Sequence, residues 1–578
     1  MGSDRECQEI ECDVLVIGSE AAGAKAAIEA AEENVDTLVV TKGLVGKGGD
    51  TIMAGTGVQA SLGHMDPRDT PEAFFEDVVK GGAYLNNQKL VHRLARLSLT
   101  EVPKMEKWGA KFVKRGEKFD QVQYPGSSYP RGLRAVGAHG GLQWRTAFSS
   151  QFKRLNNIRR MEDTFISSLL LSSDGDAVGA FGVSLRTGHY VVIRSKQTIL
   201  ATGGCAQIYR KTDSSIDATG DGMVMAYNTG AELMDMEFQQ FFPFCCYMPP
   251  FEMSIFPTSL HYNLHGKFYN ALGEAFMERY SPRKDWGLRD EVSRGIYLEN
   301  KYGRGSPNGG AYLSFNHLPE NLIENFFERL KPPYLEKLKK MGIDIRRQAV
   351  EVGPAAHYSM GGIRVNENCE TTVPHLFAIG EVASGADGAE RIDGGPAMTW
   401  CFTMGYIAGK EAACRAKQLG SPKVDLSRVD AERQRVSTLW ERKEGVRGFE
   451  IKNAVKDIMW EYGALVRNGD GLKNGLELIE RIKRDDLPRL YVAGPSRLFN
   501  KGLTEALEAE NMVKLSEMIL RAALMREESR GAHYRSDYIP RNDAQWIKNI
   551  VIKKRSEAMT FIPVLPIMNT IKPTEGRE

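Results

Sequence analysis

The sequence has no CxxC pair. Its eight cysteines, Cys7, Cys12, Cys205, Cys245, Cys246, Cys369, Cys401 and Cys414, are scattered over 578 residues. That distribution speaks against a cysteine-held iron–sulfur cluster or a structural zinc site, and it is too sparse for a disulfide framework, so no metal is expected in the chain. Adjacent Cys245 and Cys246 read as buried thiols, because free cysteine packs as a small hydrophobe. Charge of one sign is also missing: 76 basic residues face 74 acidic ones, for a net +2. Such a balance leaves no footprint for nucleic acid or an anionic membrane surface. No apolar run reaches the ~18 residues of a membrane helix, which argues against direct membrane insertion. The start, "MGSDRECQEIEC", is too polar for a secretory signal, so a cytoplasmic location is expected. Internal repeats and low-complexity linkers are absent. What remains is a soluble globular composition, 42% hydrophobic and 26% charged, long enough for about two to four domains.

One further absence lies inside a motif. "VIGSEAAG", Val16 to Gly23, follows a short apolar strand from Val14 to Ile17 and opens a helix from Ala21 to Glu33. This is the strand, glycine turn and helix of a dinucleotide site, with Gly18, Ser19, Ala21, Ala22 and Gly23 at the helix N-terminus, yet the middle glycine is Glu20. That glycine ordinarily lets the backbone approach a pyrophosphate. A second strand from Asp36 ends in Thr41 and Lys42, where such folds place groups for an adenosine ribose. "GGDTIMAGTG", Gly48 to Gly57, supplies a glycine-rich loop with Gly49 and Thr51 able to run close to a flat ring. "ATGG" (Ala201, Thr202, Gly203, Gly204), "ATGDGM" with Asp221 and "AIGEVASG" with Glu381 add turns at strand ends. Phe181 to Ile193 alternates as a hairpin pair.

The expected architecture is α/β: a Rossmann-like nucleotide-binding domain in two parts, 1–235 and 346–420, an inserted α+β capping domain, 236–345, and a helical C-terminal domain, 421–578. The insertion shows as a change to aromatic and glycine-turn segments from about Ala231 to Met341. "MTWCFTMGYIAGKEAACRA" reads as a helix beginning near Met398, and Leu515, Met518, Ile519 and Ala522 form a core stripe on another.

Together these motifs resemble the flavoprotein subunits of the succinate dehydrogenase and fumarate reductase family, which also includes L-aspartate oxidase and the adenylylsulfate reductase alpha subunit. The resemblance covers nearly the whole chain and is carried by "HYSMGGI", "GEVASGADGAER", "GEAFMERY" and "ESRGAHYRSDY". It implies FAD, with the turns above as its cradle, Asp221 and Glu381 on adenosine or ribityl hydroxyls, Thr51 facing the isoalloxazine and Met398 beside it. Glu20 is then expected to turn away from the phosphates toward Lys25, Lys42 or Lys47. Complex-forming relatives carry a flavin-bonding histidine before the Thr51 position; Asp50 stands here, so the FAD is expected to be non-covalent.

The resemblance also places a catalytic arginine at Arg289, in "WGLRDEVSRG", and substrate-holding cations at His357 and Arg391. Each has a plainer reading: Arg289 as a surface ion pair with Asp290, His357 as a satisfied core histidine. Reduction of an activated C=C bond needs such cations to hold and polarise a carboxylate or carbonyl, and a proton donor opposite the flavin. The departures are specific. The family's "QFHPT" is "QFFPF" here, with Phe242 and Phe244 replacing a histidine and a threonine; its "TEG" corresponds to "NLHGKF", with His265 a partial replacement; a proton-relaying arginine is Ala275. A substrate other than fumarate, with an anionic or polarised oxygen and an apolar portion, is therefore expected, with electrons exchanged through a separate iron–sulfur subunit. Two alternatives stand beside this reading: a non-catalytic FAD electron-relay subunit whose pocket the phenylalanines plug, and an adenylylsulfate-reductase-like enzyme.

Overall fold

The computed structural model describes residues 7–573 apart from 56, 139, 250–251, 257–260, 263, 331–337, 339, 341, 495 and 557. Asn263 of the "NLHGKF" segment and Met341, the expected end of the insertion, thus lie outside the described residues.

Strand β1 (Cys7–Ile17) is the centre of a seven-stranded sheet. Helix α1 (Ala21–Ala31) crosses from it to β2 (Thr37–Val40), which pairs with β1 in parallel, Val16 opposite Val39. On its other side β1 runs parallel to Tyr190–Leu200, Val16 opposite Ile199, and Leu376–Ala378 continues the parallel set. Val14, Leu15 and Val16 are fully buried, which is why this run has no polar alternation: helices cover both faces of a parallel sheet. The segment Phe181 to Ile193 is the expected hairpin, Ala177–Ser184 antiparallel to Tyr190–Leu200. These parallel strands end at one edge, at Gly18, Thr41, Ala201 and Ile379, where a nucleotide crevice belongs.

Helix α1 packs on the helix Pro396–Ala416 at very short range. A Cβ at Gly409 would meet the Ala26 carbonyl oxygen at 2.5 Å, so the crossing requires glycine there. This fixes the loop before Pro396, with Arg391 and Asp393, over the same crevice.

A second, antiparallel sheet runs in the order Gln239–Cys246, Val350–Ser359, Ala311–Ser314, Lys267–Tyr269. Helix Arg289–Lys301 packs against it through Val292 and Ile296. Cys245 and Cys246 are buried in this core, the Cys245 thiol pushed up by burial. The C-terminal region holds the helices Leu426–Glu441, Gly448–Tyr462, Gly469–Arg481 and Lys501–Met525, and the Leu515 stripe is core. It also contributes a hairpin, Asn549–Arg555 with Ala558–Val564, that pairs with Leu233–Met234 beside Gly362–Arg364. "ESRGAHYRSDY" is a buried ionic clamp in this junction: Arg526 pairs with Glu237 and Glu528, and Arg530 with Glu528, all fully buried.

Candidate functional site

A cavity of about 300 Å³ lies at the carboxyl edge of the parallel sheet and reaches the second sheet. Its wall includes Gly18, Ser19 and Ala22 of the first turn, Thr41 and Lys42 after β2, and Gly49 and Thr51 of the short helix α2 (Gly49–Met53). Ala201, Thr202, Gly203, Asp221, Glu381 and Met398 complete that part, and Arg289, His357 and Arg391 line the far end. Ala21 and Gly23, expected on the wall, stand behind it. The Ala21 N–H donates to Thr51 Oγ1 at 3.0 Å, and a Cβ on Gly23 would meet the Gly18 carbonyl oxygen at 2.1 Å. Gly23 serves helix–strand packing, which a fingerprint read along the chain does not separate from ligand contact.

The wall fits a flavin dinucleotide. Gly43, Gly55 and Gly203 face the cavity with nothing within 4 Å of a Cβ position, so bare backbone is presented where a large ligand would lie. Gly18, at φ 106°, brings the turn within 2.1 Å of the Ala201 carbonyl oxygen, reckoned from its missing Cβ. Thr202 Oγ1 is buried and has no hydrogen-bond partner among the described residues. A buried hydroxyl at a cavity wall calls for a polar ligand.

Glu20 corrects the sequence reading. Its carboxylate meets none of the three lysines; Oε2 accepts from the Thr51 N–H at 2.7 Å, in the first turn of α2. Lys25 is buried with Glu29 and Glu101, each at 2.6 Å, and Lys42 Nζ sits 3.0 Å from Asp221 Oδ2 and 2.9 Å from Glu508 Oε1. The Glu20 side chain occupies the space a Cβ at Gly49 would need, at 2.3 Å, and Gly49 has φ 72°. Burial pushes Glu20 up to about 7, against the bonds from Thr51. Burial likewise raises Asp50, whose Oδ1 accepts from the Ser215 N–H at 2.5 Å, and Glu381, whose Oε1 accepts from the Ser359 N–H at 2.9 Å. Asp221 opens the helix Asp221–Asn228 and also accepts from Asn511 Nδ2 at 2.8 Å.

At the far end, Arg289 begins its helix and is buried, not paired with Asp290, which instead faces Arg294 at 3.5 Å. Its Nη2 donates to Asp393 Oδ1, and its Nη1 donates to Gln240 Oε1 at 3.0 Å. Arg391 Nη2 donates to the same Gln240 oxygen at 2.7 Å. One amide thus holds two arginines. Gln240 and Asp393 were not singled out in the sequence; the only signal for Gln240 was its place at the head of "QFFPF". Asp213 is a third such residue: its Oδ2 lies 2.9 Å from His357 Nδ1, so Nδ1 is the protonated nitrogen and Nε2 the acceptor. Burial lowers the His357 pKa, and Arg289 and Arg391 add to the effect against Asp213.

Phe242 lines the cavity, stacked 4.9 Å from the His357 ring and 4.9 Å from the Arg289 guanidinium carbon. Phe244 is off the wall, packed behind Phe242 at 5.5 Å and against His261 at 5.0 Å. His265 sits against Trp286 at 4.9 Å, outside the cavity lining, and Ala275 is exposed.

The FAD binding domain family matches residues 13–396 and the fumarate reductase flavoprotein C-terminal family matches 452–576. The chain is 37% identical over 555 residues to a fumarate reductase (CoM/CoB) subunit of Methanothermobacter marburgensis, covering 96% of this chain and 99% of that protein. An uncharacterized FAD-dependent oxidoreductase of Methanocaldococcus jannaschii is 38% identical over 550 residues, covering 94% and 96%. Among solved structures, the FrdA chain of E. coli quinol fumarate reductase superposes with a TM-score of 0.89 at 26% identity, covering 98% and 99%. Sdh1 of Mycobacterium smegmatis gives 0.86 at 32%, covering 97% and 95%. Adenylylsulfate reductase of Archaeoglobus fulgidus, at 24% identity and a TM-score of 0.81, shares the fold. The chain belongs to the fumarate reductase and succinate dehydrogenase flavoprotein family and is an FAD-dependent oxidoreductase.

Proposed function

We propose that this chain is the catalytic subunit of a fumarate reductase/succinate dehydrogenase-type complex, acting on a C=C/C–C substrate other than fumarate. The observation that carries the reading is the pair Arg289 and Arg391, held by one Gln240 oxygen at the end of the FAD cavity, with Phe242 as the apolar face beside them. Arginines that line a cavity opposite a cofactor site suit a reaction site better than a plugged relay.

Ser19 and Ala22, on the cavity wall at the start of α1, would hold the pyrophosphate with backbone N–H groups, Thr41, Lys42 and Asp221 the adenosine end, and Thr51, Glu381 and Met398 the ring end. FAD supplies two-electron hydride exchange at its N5. Arg391 holds and polarises the substrate oxygen, since a guanidinium binds planar oxyanions through paired N–H groups. Arg289 is the group that gives or takes the proton on the second carbon. Burial alone would lower its pKa, but Asp393 outweighs that and keeps it charged. His357, neutral and tethered through Nδ1 to Asp213, orients the substrate through Nε2. Phe242 excludes water and offers no hydrogen bond, so a carboxylate placed against it goes unpaired, at a cost of about 1–3 kcal/mol or more.

The test is reoxidation of the reduced holoprotein by a panel of aromatic and alkyl enoates, enoyl thioesters, fumarate and adenylylsulfate, followed by flavin absorbance. An enoate or thioester should be the fastest acceptor. Fumarate as the fastest would remove the substrate assignment, and no reaction with any C=C acid would remove the reaction class.

A further inference from the structure

Resting on that reading of the arginine end as the substrate site, we propose that Asp393 sets the charge of the substrate: it occupies one of the two arginines, so that the site takes a monoanion and discriminates against a dianion. Asp393 and Arg289 form a buried ion pair, with side chains 2% and 8% exposed. The carboxylate is locked by a second bond, from the Gly394 N–H to Oδ1 at 2.8 Å. It lines the cavity with Arg289 and Arg391.

The charge count follows from the groups that face these two arginines. Arg289 and Arg391 contribute two positive charges and Asp393 removes one. Asp290 is taken up by Arg294, whereas Asp213 is hydrogen-bonded to a neutral His357, so any charge it keeps lowers the surplus further. Behind Arg391, Asp387 accepts from Trp400 Nε1 at 2.8 Å and Glu390 from Gln240 Nε2; neither lines the cavity, and any charge they keep lowers the surplus further. The positive surplus is thus no more than one unit. Two guanidiniums would match a dicarboxylate; two guanidiniums with an internal carboxylate match one. A second substrate carboxylate would enter a wall of Phe242, Tyr124 and Ile255 with no further cation among the described lining residues there, and an uncompensated charge in such surroundings is strongly disfavoured. A monoanion binds Arg391 and lays its neutral portion on that wall.

Fumarate and monomethyl fumarate share one carbon frame and differ by one charge, as do succinate and monomethyl succinate. Binding of the saturated pair to the oxidised holoprotein, followed by perturbation of the flavin absorbance, reads the charge preference without turnover. The monoester should bind at least tenfold tighter than the diacid, and Asp393→Asn should shift the ratio at least tenfold toward the diacid. A diacid that binds as tightly as its monoester in the unmodified protein would overturn the proposal. So would an Asp393→Asn variant that weakens both ligands in proportion, the mark of a merely positioning residue. Should that variant fail to retain FAD, the unmodified protein's order decides alone. Reoxidation by the unsaturated pair separates the two readings. Enoates that accept electrons with the charge order reversed would sink the charge assignment and leave the reaction class standing; no reoxidation at all would sink the reaction class, with the succinate pair still judging the charge.

Discussion

Glu20 works at two helix starts at once. Its backbone is the N-cap of α1, without a side-chain bond to that helix, while its carboxylate receives the Thr51 N–H in the first turn of α2. An acceptor there suits the positive end of a helix, and Thr51 returns the link by accepting from Ala21. The residue that stands where the fingerprint has a glycine therefore ties the dinucleotide-type turn to the start of α2. Its titration makes a prediction for the FAD-free protein. Burial raises the carboxyl from 4.5 to about 7, so the folded state binds the proton more tightly than the unfolded chain does. Stability then falls as pH rises from about 4.5 to about 7 and is flat above, as far as this group is concerned. Calorimetry at pH 5 and pH 8 should show a smaller drop in Tm for Glu20→Gln than for the unmodified chain; an equal drop would show that the other buried carboxyls raised in the same direction, Asp50, Asp69, Asp235 and Glu381 among them, carry it. Asp50 supports a second expectation. Its carboxylate is bonded to the Ser215 N–H and cannot form a carbon–nitrogen link to a flavin ring. Acid precipitation should leave the yellow FAD in the supernatant, and colour in the washed pellet would contradict the assignment.

Elements bring these residues together, and their order explains what the sequence disclosed. The parallel strands ending at Gly18, Thr41 and Ala201 could be read because buried parallel strands are continuous apolar runs with glycine at their ends. Arg289 could be assigned a role only through its motif, and its partners could not be read at all: Asp393 lies 104 residues away, and Gln240 lies 151 from Arg391. No local periodicity encodes such pairs. The terminal hairpin escaped for the same reason, since Asn549–Arg555 finds its partner strand at Leu233–Met234. Phe244 was misplaced because a bulge between Phe242 and Cys245 breaks the simple alternation of its strand. At this scale the helix Arg289–Lys301 carries a prediction. Arg289→Ala should reduce turnover about 100-fold or more, as loss of a preorganised charged donor does, with FAD still bound, because Arg289 stands at the far end of the cavity from the dinucleotide turn. Activity near that of the unmodified enzyme would remove it from the chemistry. The long helix Lys501–Met525 carries another. Its Glu508 reaches Lys42, which also holds Asp221 and Thr219, so the C-terminal region braces the cavity wall at the end proposed for the adenosine. Glu508→Gln should weaken FAD retention, read by equilibrium dialysis, more than it lowers turnover of the enzyme that keeps its FAD.

For the whole molecule the open matter is where electrons come from. FAD exchanges two electrons with a substrate but can pass them singly, and an electron carrier must then lie within reach. The eight cysteines offer no cluster spacing, and among the described residues no group of three or more His, Cys, Asp or Glu side chains is placed to hold a metal. The one glycine turn of dinucleotide type is the one proposed for FAD, and no second such fingerprint, as a nicotinamide site would need, follows it in the sequence. Among the described residues no helix is long and apolar enough to cross a membrane. The relative from Methanothermobacter marburgensis is itself named as one subunit of an enzyme. The expected arrangement is a complex in which a separate iron–sulfur protein carries electrons to or from the flavin. Purification from the native source under non-denaturing conditions should bring down such a protein in fixed ratio, visible by its iron content and absorbance. The isolated chain should then reduce its substrate rapidly with a chemically reduced carrier and slowly with NADH. Full-rate turnover of the isolated chain on NADH alone would mean that a nicotinamide reaches the flavin directly, and the need for a partner would fall with it.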